Sequence, residues 1–348
     1  MLALAALAAV VLNGRSTSGA THRVNVVPAA AHSHAGNPYP LHITTVVGSS
    51  IPAKQYGNEL SKQQGSATED SATPGATPGA PITPVSPSAF AGPTAAYRAW
   101  AEHWAATLAG EVPRLRSALA TGTRAPAERE WQLAYSDYLH LGAVYGLLPG
   151  TLDEQIDGMP HALPGPGAPA PSFSGLHRIE MGLWTGARPA SLVPWAARLE
   201  HDVGTLQRVL PTVQIDPLDY ATRAHEILED AQRDLLSGTD VPWSGAGVLG
   251  TAAGVAATDE VISTLTPLLE ARDSTLLDVN NWLDRLQHVL DQLRAAHGGS
   301  WPSLGQLDLT QREELDGTVA GALGPLSQVP GSLETTPAPV IPKLSQAK

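Results

Sequence analysis

The residues best suited to chemistry lie where the chain reads Phe173-Ser174-Gly175-Leu176-His177-Arg178-Ile179-Glu180-Met181-Gly182-Leu183-Trp184. On a helix, His177 and Glu180 stand three residues apart on one face, where an imidazole and a carboxylate can meet one cation, as in the metal sites of carboxylate-bearing bundles. The same spacing suits a local hydrogen-bonded His-Glu pair at a bundle mouth, and spacing alone leaves both readings open. The chain has no cysteine, which removes disulfides, thiolate nucleophiles, Cys-ligated zinc and iron-sulfur clusters. Any metal must be held by His, carboxylate or water. There is no HExxH to supply two neighbouring His ligands around a general base, and no GxSxG elbow to present a serine. The expectation is a binding protein, not an enzyme. With 33 acidic against 21 basic residues, the net charge of -12 repels phosphate backbones, argues against a nucleic-acid partner and makes cations the natural ligands.

The elements that must position these residues read as helices. Tyr97, Trp100, Trp104 and Leu108 form one stripe at helical spacing, and Trp131, Tyr135, Tyr138 and Leu141 form another that opens near Pro126. Residues 148–172 read as a loop because of Pro160, Pro164, Pro166, Pro169 and Pro171, after which Ser174 is placed to cap a short helix running to Trp184. Leu192, Trp195, Leu199, Val203 and Leu206 mark the next helix. Asp216-Pro217 opens another, with Asp219 in its first turn and Gly238 beyond its end. Further helices are expected over about 248–272, 274–296 and 310–326. Seven or eight helices with no convincing strand pair give an all-α fold, and eight in this length suit two four-helix units.

The flanks read differently. Residues 2–12 (LALAALAAVVL) have the length of a signal-peptide h-region, with Ser18-Gly19-Ala20 as a small-residue cleavage site, so 1–20 is expected to be a signal peptide or membrane anchor. Without cysteine there is no lipobox. Residues 21–93 read as a Pro/Ser/Thr-rich linker whose His32, His34 and His42 are incidental or a weak metal tract, 94–329 as the helical domain, and 330–348 as a disordered tail.

Gly175-x-His177-x-x-Glu180 followed by Leu183-Trp184 resembles the GxHxxE signature of the imelysin-like family, and as HRIExxLW it is most similar to the EfeO-type iron-uptake branch. Leu152-Asp153-Glu154-Gln155-Ile156-Asp157 is similar to the LDPxID segment of that branch, and Asp216-Pro217-Leu218-Asp219 through His225-Glu226-Ile227-Leu228-Glu229 to its DPLD...HEILE helix. The resemblance implies two four-helix bundles related by pseudo-twofold symmetry. It implies a metal site of Asp157, His177, Glu180 and Glu226, which as one imidazole and three carboxylates suits iron, with zinc or another divalent cation as alternatives. Glu229 and Asp230 lie within a turn of Glu226 and could substitute for it, while the plain reading of this acidic face is pairing with Arg223 and Arg233. The chain departs from the family at Leu139, where an acid usually follows the Tyr, and Asp137 and His140 are the nearby residues that could compensate.

The function implied is an exported protein on the periplasmic or extracellular side of the cell envelope that captures iron for a membrane permease with an associated peroxidase. The rivals are a helical cell-surface scaffold whose metal site has decayed, as at Leu139, and a metallopeptidase.

Overall fold

The aromatic and leucine stripes do form helices. The computed structural model describes residues 83–160, 173–270, 272 and 275–335, and among them there are helices and turns and no strand. In chain order the helices are α1 (Ala91–Thr121), α2 (Arg124–Leu139), α3 (Leu152–Asp157), α4 (Gly175–Trp184), α5 (Val193–Val209), α6 (Pro217–Asp230), α7 (Gly247–Leu269), α8 (Leu276–Ala296) and α9 (Leu309–Leu326). One further turn of helix covers Val329–Ser332.

Local signals account for most of these limits. Asp216 caps α6, its carboxylate accepting from the backbone N–H of Leu218 at 2.9 Å and of Asp219 at 3.2 Å, with Pro217 at the position that needs no donor. Asp308 and Gln311 close a reciprocal capping box at the start of α9. Past Asp230 the helix widens into a π-turn, Ala231–Leu235, before Gly238 turns the chain at φ 79°. The expectation of loop throughout 148–172 misses α3. Pro149 precedes that helix and the next proline is at position 160, beyond it, while Leu152 and Ile156, four residues apart, are both buried.

α1 packs against α2 and α5, and α4 packs against α2 and α5 in turn. α6 packs on α7, α7 on α8, α8 on α9, and α9 back on α6. α7 also touches α1 and α2, so it lies where the two sets of helices meet. Its buried residues include the small ones Gly250, Ala253, Gly254 and Ala257. Residues flanking the expected 94–329 span are also packed: Val85 donates its N–H to the carbonyl of Glu334 at 2.8 Å, and Val85, Phe90 and Leu333 are buried. The N-terminal apolar run, its cleavage site, the linker up to residue 82 with its three histidines, and the tail from 336 lie outside the described residues. No helix among the described residues is long and apolar enough to cross a membrane.

Candidate metal centre

α4 is the element that decides the site, because eight of its ten residues are buried, His177 and Glu180 among them. Its approach to the end of α3 is close enough that only glycine fits at position 175. There φ is +82°, and a Cβ would stand 2.1 Å from the carbonyl oxygen of Ile156. Ser174 occupies the N-cap position, but its hydroxyl donates to the carbonyl of Gln155 at 3.2 Å instead of accepting from the helix, so it ties α4 to α3 and makes no cap. From the other side the indole of Trp131 donates to the carbonyl of Leu176 at 2.8 Å. α4 is thus held in register with both α2 and α3.

A buried imidazole and a buried carboxylate each need partners, since an unpaired buried polar group costs about 1–3 kcal/mol. Nδ1 of His177 meets Oε2 of Glu180 at 2.9 Å, and Oε1 of Glu180 accepts from both the backbone N–H of Ser244 at 2.8 Å and its hydroxyl at 2.6 Å. Both oxygens of Glu180 are therefore engaged on the Nδ1 side of the ring. The opposite nitrogen, Nε2, points at Oδ1 of Asp157, 3.3 Å away, and Oδ1 of Asp240, 3.8 Å away. Although completely buried, Nε2 makes no hydrogen bond, and neither does Oδ1 of Asp157. Tyr135 sets its ring edge against the imidazole and donates its hydroxyl to Oδ2 of Asp240 at 3.0 Å.

The ligand atoms of Asp157, His177 and Asp240 all lie within 4.8 Å of one another. Two ligands each about 2.1 Å from an ion stand roughly 3.0–3.6 Å apart at angles of about 90–120°. The 3.3 Å pair already has that separation, and the 3.8 Å pair reaches it with a shift of a few tenths of an ångström. Nε2 of His177 and Oδ1 of Asp157 thus face each other as an ion pair without hydrogen-bond geometry, and together with Asp240 they stand close enough to hold a cation. Burial pushes the Asp157 carboxyl up to about 7, partly offset by the imidazole and reinforced by Asp240 and Asp153. Burial by itself would lower His177, but the surrounding carboxylates, led by Asp157, outweigh it and hold the imidazole well above its ordinary value. Beside the cluster is a cavity of about 170 Å³, with Asp157 and Asp240 in its wall next to Leu139, Gly250 and Gly254.

Of the residues expected at the site, Asp157 and His177 come together, and Glu180 lies behind the imidazole. Glu226 is outside the three-residue group, paired with Arg223 at 3.3 Å. Glu229 is more than half exposed beside His225. His140 stacks on Trp104 with its Nδ1 on the carbonyl of Ser136. Leu139, where the sequence resemblance leads to the expectation of an acid, is part of the cavity wall. Asp240 and Ser244 were missed; the only signal was an acid in a Gly- and Pro-containing connection, Gly238-Thr239-Asp240-Val241-Pro242.

Asp137 is 8% exposed, and burial raises its carboxyl to about 6 against the pull of Arg114. A folded-state value above the ordinary one near 3.8 means that this group's contribution to stability is fully present below about pH 4 and lost as pH rises through 6. Asp137→Asn is therefore expected to stabilise the protein at pH 7.5 by about 1–2 kcal/mol, a few degrees in Tm, and to be nearly neutral at pH 4. Thermal unfolding at the two pH values checks this, and an equal effect at both would contradict it.

Fold and site together define a protein that is all-helical among the described residues, in which a buried histidine meets two partly buried carboxylates close enough together to hold a metal ion. The chain is 24% identical over 256 residues to the iron uptake system component EfeO of Yersinia pseudotuberculosis, covering 72% of this chain and 67% of that protein. It is 20% identical over 263 residues to the iron uptake system component EfeM of Pseudomonas syringae, covering 74% of this chain and 90% of the relative. With EfeO of Escherichia coli it shares 23% over 226 residues, 56% of that protein's length. No protein-family model matches the chain.

Proposed function

We propose that the chain binds a divalent metal ion through Asp157, His177 and Asp240 and serves in iron uptake, with iron as the cargo. The observation that carries this reading is the fully buried Nε2 of His177, facing two carboxylates without a hydrogen bond. A neutral imidazole and two carboxylates carry two negative charges, which a divalent ion offsets. Ferrous iron and zinc match this charge equally and both suit imidazole and carboxylate ligands; the relatives' names favour iron. Glu180, anchored by Ser244, fixes the imidazole so that Nε2 faces the ion, the carboxylate-histidine-metal arrangement of many such sites.

The names of the relatives support the iron role. The ring of contacts among α1, α2, α4 and α5 and the second ring of α6 to α9 support reading the fold as two four-helix bundles of the imelysin-like kind, with Gly175, His177 and Glu180 as its GxHxxE motif. On this reading the protein works outside the cytoplasm, at the periplasmic or extracellular face of the envelope. Its partners are a membrane iron permease and its peroxidase, and it binds its ion without catalysing a reaction. A second reading, a helical scaffold without metal, is favoured by one observation: Leu139 presents hydrocarbon to the cavity where the family's pattern has an acid.

Calorimetric titration of the full chain with zinc, and anaerobically with ferrous ions, separates the two. One-to-one binding that His177→Ala loses is expected, and no binding by the wild-type chain would leave the scaffold reading. The ion must also displace protons. The carboxylates around His177 hold its imidazole well above its ordinary value and burial pushes Asp157 up to about 7, so both groups must lose protons to an incoming ion and affinity is expected to rise as pH rises through 7. Titrations across pH 6 to 8 would show this, and a flat profile would mean that Nε2 is not a ligand.

A further inference from the structure

The ring set against the His177 imidazole belongs to Tyr135, 5.4 Å away between centroids. Tyr135 stacks on Trp131 at 4.9 Å with the planes 15° apart, and Trp131 meets the edge of Trp184 at 5.2 Å. Of the eight tryptophans in the chain, Trp131 alone is buried. Trp184, the last residue of α4, is only partly buried. His177, Tyr135, Trp131 and Trp184 thus form an unbroken series of ring contacts from the carboxylate cluster towards the surface. Electron tunnelling falls off exponentially with distance, so rings in contact exchange electrons far faster than rings set apart.

The hydrogen bonds give this series a direction. A phenol gives up an electron readily only when a base takes its proton, and the Tyr135 hydroxyl donates to Oδ2 of Asp240 at 3.0 Å. Tyr145, which lines the cavity, donates instead to the backbone carbonyl of Tyr138 at 3.1 Å, and a carbonyl is no such base. Trp131 likewise donates its indole N–H to the carbonyl of Leu176, so once oxidised it keeps its proton and draws an electron from the next ring. Trp184, nearer the solvent, can release its proton to water.

We infer that Tyr135, Trp131 and Trp184 are a relay that draws oxidising equivalents out of the metal site when ferrous iron there meets peroxide. This rests on the metal reading above and adds to it a protective function. Hydrogen peroxide, taking one electron from the ferrous ion, splits at its O–O bond into hydroxide and a hydroxyl radical. The radical takes one electron from Tyr135 and becomes hydroxide, while the phenolic O–H bond breaks and its proton passes to Asp240. Tyr135 then recovers an electron from Trp131 and the proton from Asp240. Trp131 recovers its electron from Trp184, whose indole N–H bond breaks as the proton leaves to water. The net change converts one ferrous ion and one peroxide into one ferric ion, two hydroxides and one proton, and leaves a neutral radical on Trp184.

The full chain is loaded anaerobically with ferrous iron, treated with one equivalent of hydrogen peroxide and opened to air, and the oxidised residues are located by peptide mass spectrometry. Trp184 should be oxidised severalfold more than Trp195 and Trp282, which are also partly buried but lie outside the series. Trp184→Phe removes the end of the relay, so oxidation should now appear at Trp131, which is buried away from radicals formed in solution. In Trp131→Phe, with loading checked by ferrous titration, oxidation of Trp184 should fall to the level of Trp195 while that of Tyr135 and His177 rises. Trp184 oxidised no more than Trp195 in the wild type, or oxidised as strongly in Trp131→Phe, would overturn the relay. If the wild-type chain takes up no ferrous iron, the metal reading falls and the relay with it. Iron that is bound by the wild type and lost in His177→Ala, with oxidation spread evenly over the partly buried tryptophans, sinks only the relay.

Discussion

Asp240→Asn is expected to weaken binding of ferrous or zinc ions by at least about 100-fold, because it removes a charged ligand while keeping the shape of the side chain. Losing an outer partner of a metal-bound histidine typically costs 10–100-fold, so Glu180→Gln is expected to fall in that lower band. The chemistry explains the order. In Asp240→Asn the amide oxygen would still accept the Tyr135 hydroxyl, so the loop stays in place and only the negative charge facing Nε2 is lost. Glu180→Gln would instead put an amide N–H where either Ser244 or the Nδ1 side of His177 now finds an acceptor, which loosens the imidazole without removing it. Glu226→Gln should change affinity by less than about twofold, because its partner is Arg223. Zinc titrations of the three variants give the ranking. If Glu180→Gln proves worse than Asp240→Asn, or Glu226→Gln abolishes binding, the ligand set is the one that spacing and resemblance imply.

The second large effect concerns the joint between α3 and α4. Gly175→Ala is expected to destabilise the protein by about 3 kcal/mol or more, from a left-handed backbone that alanine disfavours and a Cβ driven into the Ile156 carbonyl. Gly186→Ala makes a matched control. It too has a positive φ, +93°, but a Cβ there meets nothing within 4 Å, so only the backbone cost, about 1 kcal/mol, should appear. The difference between the two in urea unfolding measures the close approach that brings Asp157 up to His177. Equal losses would mean that the joint relaxes freely and that Asp157 is not rigidly held.

Much of this was legible in one dimension. The His177-x-x-Glu180 spacing marked one helix face, and the structure does bury both residues there and sets His177 among carboxylates. The stripe carrying Trp131 and Tyr135 marked the inner face of α2, and both residues turn out to hold α4 or the site. Asp216-Pro217 opened α6 as written, because a cap is a local hydrogen bond between near neighbours. Leu139 was marked as the departure, and it does face the cavity.

What only the tertiary structure decided is which atoms of these residues meet. Helical spacing puts Glu180 on the face of His177 but does not say which ring nitrogen it meets. That is settled by Ser244, 64 residues farther along, which occupies the other carboxylate oxygen. Asp240 has no periodic signal because it sits in a connection, and it joins the site only because the π-turn and Gly238 direct that connection back over α4. Glu226 shows the converse. Its helix does pass the cavity, but Ile227 and Asp230 face it, and Glu226 finds Arg223 instead. Local patterns follow from interactions within a few residues, which a sequence displays. A metal site is a convergence of distant segments, and that depends on packing contacts such as the one that admits only glycine at 175.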